Sequence, residues 1–252
     1  MKFKPLLEVS NLTKNFSGIC AVNHVSFNLT PGTITAVIGP NGAGKTTLYN
    51  LISGQLTATS GSVKLEDKEL TSLSPHQIVK AGVGRSFQIT SIFPALTVQQ
   101  NIRAAVISEQ EKQFNLWRNI SKDTSLNQSV AEILQLISIE HLASTPVHSL
   151  SHGDQALVEI GIVLALKPLL ILLDETTAGM SSTETKRIVQ LIRHLQQQIS
   201  CTFLLTEHDM TVIFELAECL LVMHQGRIIA EGTPDEIRQD LAVRRAYLGN
   251  NL

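Results

Sequence analysis

Nowhere does the chain hold the roughly 18 uninterrupted apolar residues that a membrane-spanning helix needs. The best candidate, residues 162–173, is broken by Lys167-Pro168 and runs into Asp174 and Glu175. No apolar stretch follows the first lysines either; Pro5, Glu8, Ser10 and Asn11 come instead, so a secretory leader is not expected. Cysteine is scarce. Cys20, Cys201 and Cys219 are scattered, odd in number and without metal-ligand spacing, the pattern of reduced thiols in a cytoplasmic protein. Charge of both signs is thin at 17%, and the net charge of −2 leaves no basic footprint, which argues against nucleic acid as the main partner. There is no internal repeat and no low-complexity tract. What remains is a globular chain of 252 residues, 43% hydrophobic, able to bury a core as one domain with room for an inserted subdomain. Any membrane role has to come through partners.

One stretch organises the rest: Gly39-Pro40-Asn41-Gly42-Ala43-Gly44-Lys45-Thr46-Thr47. It fits G-x-x-x-x-G-K-[ST] without a mismatch. Its glycines let the backbone curl until successive N–H groups point at a phosphate. In that motif Lys45 reaches the β- and γ-phosphates and the Thr46 hydroxyl serves Mg²⁺. Before it, residues 33–38 are β-branched and apolar, as in a buried strand. After it, residues 47–52 continue as a helix with its N-terminus toward the phosphates. A glycine-rich turn with an incidental lysine would not need that setting. The chain is expected to bind a nucleoside triphosphate.

Around this loop the periodicity changes twice. Residues 7–16 and 21–29 alternate apolar with polar, as half-buried strands do, and Pro31-Gly32 turns the second into the loop strand. Residues 61–65 read as another strand, and Ser74-Pro75 starts a short helix. From about residue 89 the pattern becomes helical. Thr97-Val98-Gln99-Gln100 is a capping box, residues 108–128 are polar and carry Trp117, and Val130, Ile133, Leu134 and Ile137 recur at helical spacing. After Leu150 the α/β texture returns. Ser151 and Asp154 open a helix, residues 169–173 form a continuous apolar run typical of a central parallel strand, and Ser181 and Glu184 cap a further helix. Residues 202–206 make another strand. Residues 219–223 and 227–230 flank His224-Gln225-Gly226 as a hairpin.

The apolar run ends in Asp174-Glu175. A carboxylate there can hold Mg²⁺, directly or through its waters, opposite the phosphate loop. A second carboxylate one residue on can orient or deprotonate an attacking water; the alternative is that Glu175 only caps the turn. Phosphoryl transfer needs positioning and charge neutralisation above all.

Leu150-Ser151-His152-Gly153-Asp154-Gln155 resembles the signature sequence of ATP-binding cassette (ABC) proteins, and the family's other motifs follow in order along almost the whole chain. Phe16 stands where the family stacks an aromatic ring on adenine, although plain core packing is the competing reading. Gln88, in Arg85-Ser86-Phe87-Gln88, matches the glutamine that links nucleotide and its metal to the helical subdomain. Ala178-Gly179-Met180-Ser181 falls at the loop facing a partner subunit, and His208 matches the histidine that contacts the γ-phosphate. The resemblance implies a RecA-like P-loop NTPase core with a mostly parallel sheet, an N-terminal antiparallel β subdomain and an inserted helical subdomain. It places the α/β core at 1–88 and 151–252 and the helical signature subdomain at 89–150, all in one ATPase domain. It also implies roles: catalysis by Glu175, His208 and Lys45; nucleotide held by Phe16, residues 39–47, Gln88, Ser151 and Gly153; Mg²⁺ served by Thr46, Gln88 and Asp174. In the family, two ATP molecules join a head-to-tail dimer, each signature meeting the nucleotide on the other subunit. Two departures stand out. His152 replaces the usual second glycine of the signature, and Thr176 replaces the proline usual after the glutamate.

Finer features resemble the ATPase subunits of branched-chain (hydrophobic) amino acid uptake systems: Arg85-Ser86-Phe87-Gln88, the Leu-Ser-His-Gly-Asp signature, Ala178-Gly179-Met180-Ser181, the closing Ala246-Tyr247-Leu248-Gly249, and the polar length of 108–128. That resemblance implies two membrane permeases, a second ATPase subunit, an extracytoplasmic substrate-binding protein, and a seat on the cytoplasmic face of the inner membrane. Another cargo, such as urea or short amides, or lipopolysaccharide export, and a soluble non-transport cassette ATPase remain the alternatives.

Overall fold

The computed structural model describes residues 4–86, 92–110, 123–199, 201–240 and 243. Two sheets share the load. Strands β1 (Leu7–Phe16), β2 (Ile19–Leu29), β4 (Ser60–Leu65) and β5 (Lys68–Glu69) form an antiparallel sheet in the order β2-β1-β4-β5. The larger sheet is built from β3 (Ile34–Ile38), β6 (Val83–Arg85), β7 (Leu170–Asp174), β8 (Thr202–Thr206), β9 (Cys219–His224) and β10 (Arg227–Gly232), in the order β10-β9-β3-β8-β7-β6. It is parallel except for β10, which returns from β9 as a hairpin. Gln225 and Gly226, both with positive φ, make that two-residue turn, the geometry that matches the twist of paired strands.

Both faces of the large sheet are covered. Along β3, Ile34, Ala36 and Ile38 enter one core and Val37 the other; along β7, Ile171 and Leu173 face the first, Leu170 and Leu172 the second. Strict alternation between two apolar cores is why these strands read as unbroken hydrophobic runs. The first core is closed by α5 (His152–Ala165), α6 (Ser182–Ile199) and α7 (Met210–Leu216), and it continues into α3 (Val98–Glu109) and α4 (Thr124–Leu136). The second is closed by α1 (Lys45–Ile52), α2 (Pro75–Lys80) and the antiparallel sheet. A last short helix, α8 (Pro234–Gln239), packs Ile237 into the first core.

The expected helix starts are built as capping chemistry requires. Thr97 Oγ1 accepts from the Gln100 N–H at 3.2 Å while Gln100 Oε1 accepts from the Thr97 N–H at 2.8 Å. The polar stretch at 108–128 divides: α3 runs to Glu109, α4 begins at Thr124, and Trp117 lies outside the described residues. Four short elements escape the sequence pattern: β5, β6, α7 and α8. β6 is only three residues long, too short to show a period, and α7 follows its strand so closely that Asp209 alone, accepting from the Thr211 N–H at 2.8 Å, marks the start.

A cavity between α1, α2, β6 and α5 is lined by Ile78, Val83, Val163, Arg85 and Glu159. Burial pushes the Glu159 carboxyl up to about 7. A raised carboxyl pKa means that the fold holds the proton more tightly than the unfolded chain. The stability it contributes is complete below about 4.5 and is lost as pH climbs through about 7. Glu159→Gln should therefore raise the thermal midpoint above that of the parent at pH 8, by about 1–2 °C given the exposed part of the side chain. The two proteins should melt together at pH 4.5. An equal gain at both pH values would show that charge burial is not the cause.

Candidate active site

The phosphate loop joins the C-terminal end of β3 to α1, the edge of a parallel sheet where α/β folds bind ligands. Its glycines are there for different reasons. A Cβ on Gly39 would lie 2.2 Å from the Met223 carbonyl oxygen, and one on Gly44 would lie 2.4 Å from that of Ala21. Gly42 faces open space but has φ +80°, a left-handed conformation costly for a side chain. The Gly226 N–H donates to the Ala43 carbonyl at 2.9 Å, so the β9–β10 turn braces the loop. Lys45 is folded back on it: Nζ donates to the Gly39 carbonyl at 2.7 Å and that of Pro40 at 3.2 Å. Burial holds its ammonium below the usual lysine range, opposed by the nearby carboxylates of Glu175 and Asp174. The loop cation and the end of β7 therefore share one electrostatic neighbourhood. Thr46 is exposed in the first turn of α1 and Thr47 half-buried.

Asp174 ends β7 and is 4% exposed. Register decides its partners. It lies opposite Thr206 on β8, whose hydroxyl donates to Oδ1 at 2.7 Å. From the other side Arg85 on β6 pairs with Oδ2 at 3.0 Å. Arg85 also donates to Asn50 Oδ1 at 2.7 Å and Ser53 Oγ at 2.9 Å, at the far end of α1. One guanidinium thus ties the loop helix to the β7 carboxylate, with Nε left without a hydrogen-bond partner. Nothing local in the sequence announces this role of Arg85, which meets its partners only through the sheet and α1.

Glu175 follows with φ +53°, an uncommon conformation for a glutamate that persists only when the surroundings impose it. Its N–H donates to the Thr206 carbonyl at 2.9 Å, and its Oε1 lies 2.9 Å from His208 Nε2. Its carboxylate thus meets the histidine side chain across the sheet edge. Next to His208, Glu207 is 7% exposed; its carboxylate accepts from the Thr177 N–H at 3.0 Å and the Thr177 hydroxyl at 2.9 Å. Burial pushes the Glu207 carboxyl up, against the pull of those two bonds.

The signature residues sit elsewhere. Ser151 is the N-cap of α5 and accepts from the Asp154 N–H at 3.2 Å. The Gly153 N–H donates to Glu184 Oε1 at 3.1 Å. Glu184 also takes the Ser181 N–H and hydroxyl, at 3.0 and 2.7 Å, and these bonds, the Ser181 backbone first, hold its carboxyl down at about 2. Among the described bonds, the Ser151 hydroxyl pairs with Asp154 and the Gly153 N–H with Glu184, and neither reaches the phosphate loop. His152, Asp174 and Glu175 nevertheless border one cleft, with Ser86 and Met180. Phe16, at the end of β1, is 41% exposed with Lys14 Nζ 5.1 Å from its ring centre; the ring is not part of the core. Gln88 lies outside the described residues.

A family model described as ABC transporter matches residues 22–178. The chain is 37% identical to the high-affinity branched-chain amino acid transport ATP-binding protein LivG of Escherichia coli K12, over 98% of each chain. It belongs to the ABC transporter ATPase family. A second model, described as branched-chain amino acid ATP-binding cassette transporter, matches residues 227–251. The cassette is also 33% identical to BraF of Pseudomonas aeruginosa, a protein named for the same transport, over 98% of each. Among solved structures, a nucleotide-free ATP-binding cassette from an ABC transporter superposes with a TM-score of 0.85 at 31% identity, over 97% of this chain and 99% of that one. A dimeric cassette in a post-hydrolysis state, bound to ADP and Pi, superposes with a TM-score of 0.76 at 25% identity, over 90% and 98%. As a member of this family the cassette binds and hydrolyses ATP. The expected P-loop fold, with its antiparallel β sheet and added helices, is the one found. No helix among the described residues is long and apolar enough to cross a membrane.

Proposed function

We propose that the chain is the ATP-hydrolysing subunit of an importer for branched-chain or other amino acids. The observation that carries the hydrolytic part is the meeting of Lys45, Asp174, Glu175 and His208 at the carboxyl ends of β3, β7 and β8. In this reading residues 39–47 wrap the phosphates through backbone N–H groups. Lys45 exchanges its loop carbonyls for phosphate oxygens, replacing neutral acceptors by charged ones, the stronger bond. Phe16 offers its exposed ring to adenine, with Lys14 alongside. Glu175 orients and deprotonates the attacking water, and His208 holds the carboxylate in place and meets the γ-phosphate. Ser151 and Gly153 present a helix N-terminus, favourable to an anion, to the nucleotide on a second ATPase subunit.

The donors present fit Mg²⁺, which takes oxygen ligands and keeps several waters. Thr46 is exposed at the start of α1, and the Asp174 carboxylate ends β7 with its oxygens already engaged by Thr206 and Arg85, an arrangement suited to holding the ion through its waters. Thr46, Asp174 and Gln88 are the residues that would hold it; when bound, the ion neutralises charge on the terminal phosphates.

The cargo rests on the names of LivG and BraF and on the match at residues 227–251. It carries with it two permeases, a second ATPase subunit, a substrate-binding protein and the cytoplasmic membrane face. Affinity purification of the tagged chain from detergent-solubilised membranes tests this. Two polytopic permeases and a second cassette ATPase should co-purify, and the substrate-binding protein expressed with them should bind leucine, isoleucine or valine. Recovery from the soluble fraction alone would overturn the transporter reading, and a binding protein indifferent to amino acids would overturn the cargo.

A further inference from the structure

The turn after β7 carries Glu175, and its own backbone bonds are long: the Ala178 N–H donates to the Glu175 carbonyl at 3.2 Å and the Met180 N–H to that of Thr177 at 3.3 Å. Thr176 lacks the ring that would fix its φ, and its hydroxyl is buried without a hydrogen-bond partner. Glu175 itself sits at φ +53°. Across the sheet edge, the two residues that follow β8 grip this turn at two points. His208 reaches Glu175 at 2.9 Å. Glu207, one residue earlier and so on the opposite side of the extended chain, reaches inward and takes both polar groups of Thr177, N–H at 3.0 Å and hydroxyl at 2.9 Å. The inner grip is dry, with Glu207 7% and Thr177 9% exposed. Hydrogen bonds to a carboxyl sheltered from water constrain geometry more than the same bonds at a wet surface.

We infer that Glu207 is a positioning residue for ATP hydrolysis, its bidentate hold on Thr177 fixing the turn that carries Glu175 against the strand end that carries His208. Both Glu207 carboxylate oxygens are taken up by Thr177. Glu207 acts by keeping the base and the histidine in register, where a displacement of an ångström costs far more in rate than in binding. The inference rests on Glu175 and His208 as the hydrolytic pair.

The test is steady-state ATP hydrolysis by the full chain with whatever transporter subunits co-purify. Glu207→Leu and Thr177→Val should each lower kcat about tenfold or more, with KM for ATP within about twofold of the parent. Glu207→Gln has the shape of the neutral acid and can still accept from the Thr177 N–H while its amide donates to the hydroxyl. It should recover kcat to within about threefold of the parent. The double variant Glu207→Leu/Thr177→Val should be no slower than the slower single variant, because both remove one contact. Thr177→Val preserves shape and keeps the test available if Glu207→Leu folds poorly. Unchanged kcat in Thr177→Val, or KM rising in step with any fall in kcat, would overturn the inference. Glu175→Gln run alongside separates the two levels: parental turnover in that variant removes the hydrolytic pair itself, whereas its loss together with an unaffected Thr177→Val removes only the role of Glu207.

Discussion

Glu175→Gln lowers kcat for ATP hydrolysis by about 10²–10⁴-fold, the range expected when a general base is removed from a phosphoryl-transfer site. ATP binding stays near the parental level, because Lys45 and the loop N–H groups are untouched. Glutamine is nearly the same size and can still accept from His208 Nε2, now 2.9 Å from Glu175 Oε1, so the fall reports lost basicity rather than a rearranged turn. With hydrolysis blocked, the ATP-bound closed dimer accumulates, a population shift toward the state the nucleotide favours. Single-turnover hydrolysis and equilibrium ATP binding measured on one preparation check both halves. Turnover close to parental would move the base elsewhere. Weakened binding with unchanged kcat would make Glu175 a binding residue only.

Arg85→Met is expected to have the largest effect on stability. The Arg85 and Asp174 side chains are 10% and 2% exposed, and they pair at 3.0 Å. Removing one member of such a pair leaves a charge that water cannot reach, at a cost of about 3–5 kcal/mol. The Thr206 hydroxyl, still bonded to Asp174 at 2.7 Å, sets the expected loss near the lower end, about 3 kcal/mol. Asn50 and Ser53 lose their donor as well, so α1 should loosen from β6 and protection of its amides from hydrogen exchange should fall. Urea unfolding without nucleotide measures the loss. The double variant Arg85→Met/Asp174→Leu should recover part of it, since it replaces a broken ion pair by apolar groups. If the two losses simply add, the ion pair is not what holds β6, β7 and α1 together.

Some of this was legible because it is local. The phosphate loop is nine consecutive residues whose backbone does the work, so residues 39–47 could be recognised from their order alone, along with the apolar strand before them and the helix after. The helix starts at Thr97, Ser151 and Ser181 were legible for the same reason: an N-cap and its partner lie three residues apart. The continuous apolar β7 announced a strand covered on both faces, because alternation disappears when each face meets its own core.

The rest depended on which strands became neighbours. Arg85 and Asp174 are 89 residues apart, and Glu207 and Thr177 are 30 apart. They meet because the sheet runs β8-β7-β6, with Asp174 opposite Thr206 and Leu172 opposite Arg85. Nothing in a window of sequence specifies that order, since a short parallel strand carries hydrophobicity but no label for its neighbour. The amino-acid order alone therefore determined that this protein binds a nucleoside triphosphate, where its phosphate-loop motif lies and which carboxylates end the apolar strand β7. Only the tertiary structure decided how those carboxylates are held: Asp174 between Arg85 and Thr206, and Glu175 on a turn clasped by Glu207 and His208. Charge pairs and buried hydrogen bonds form through space between strand ends, and strand order in the sheet is what sets those distances.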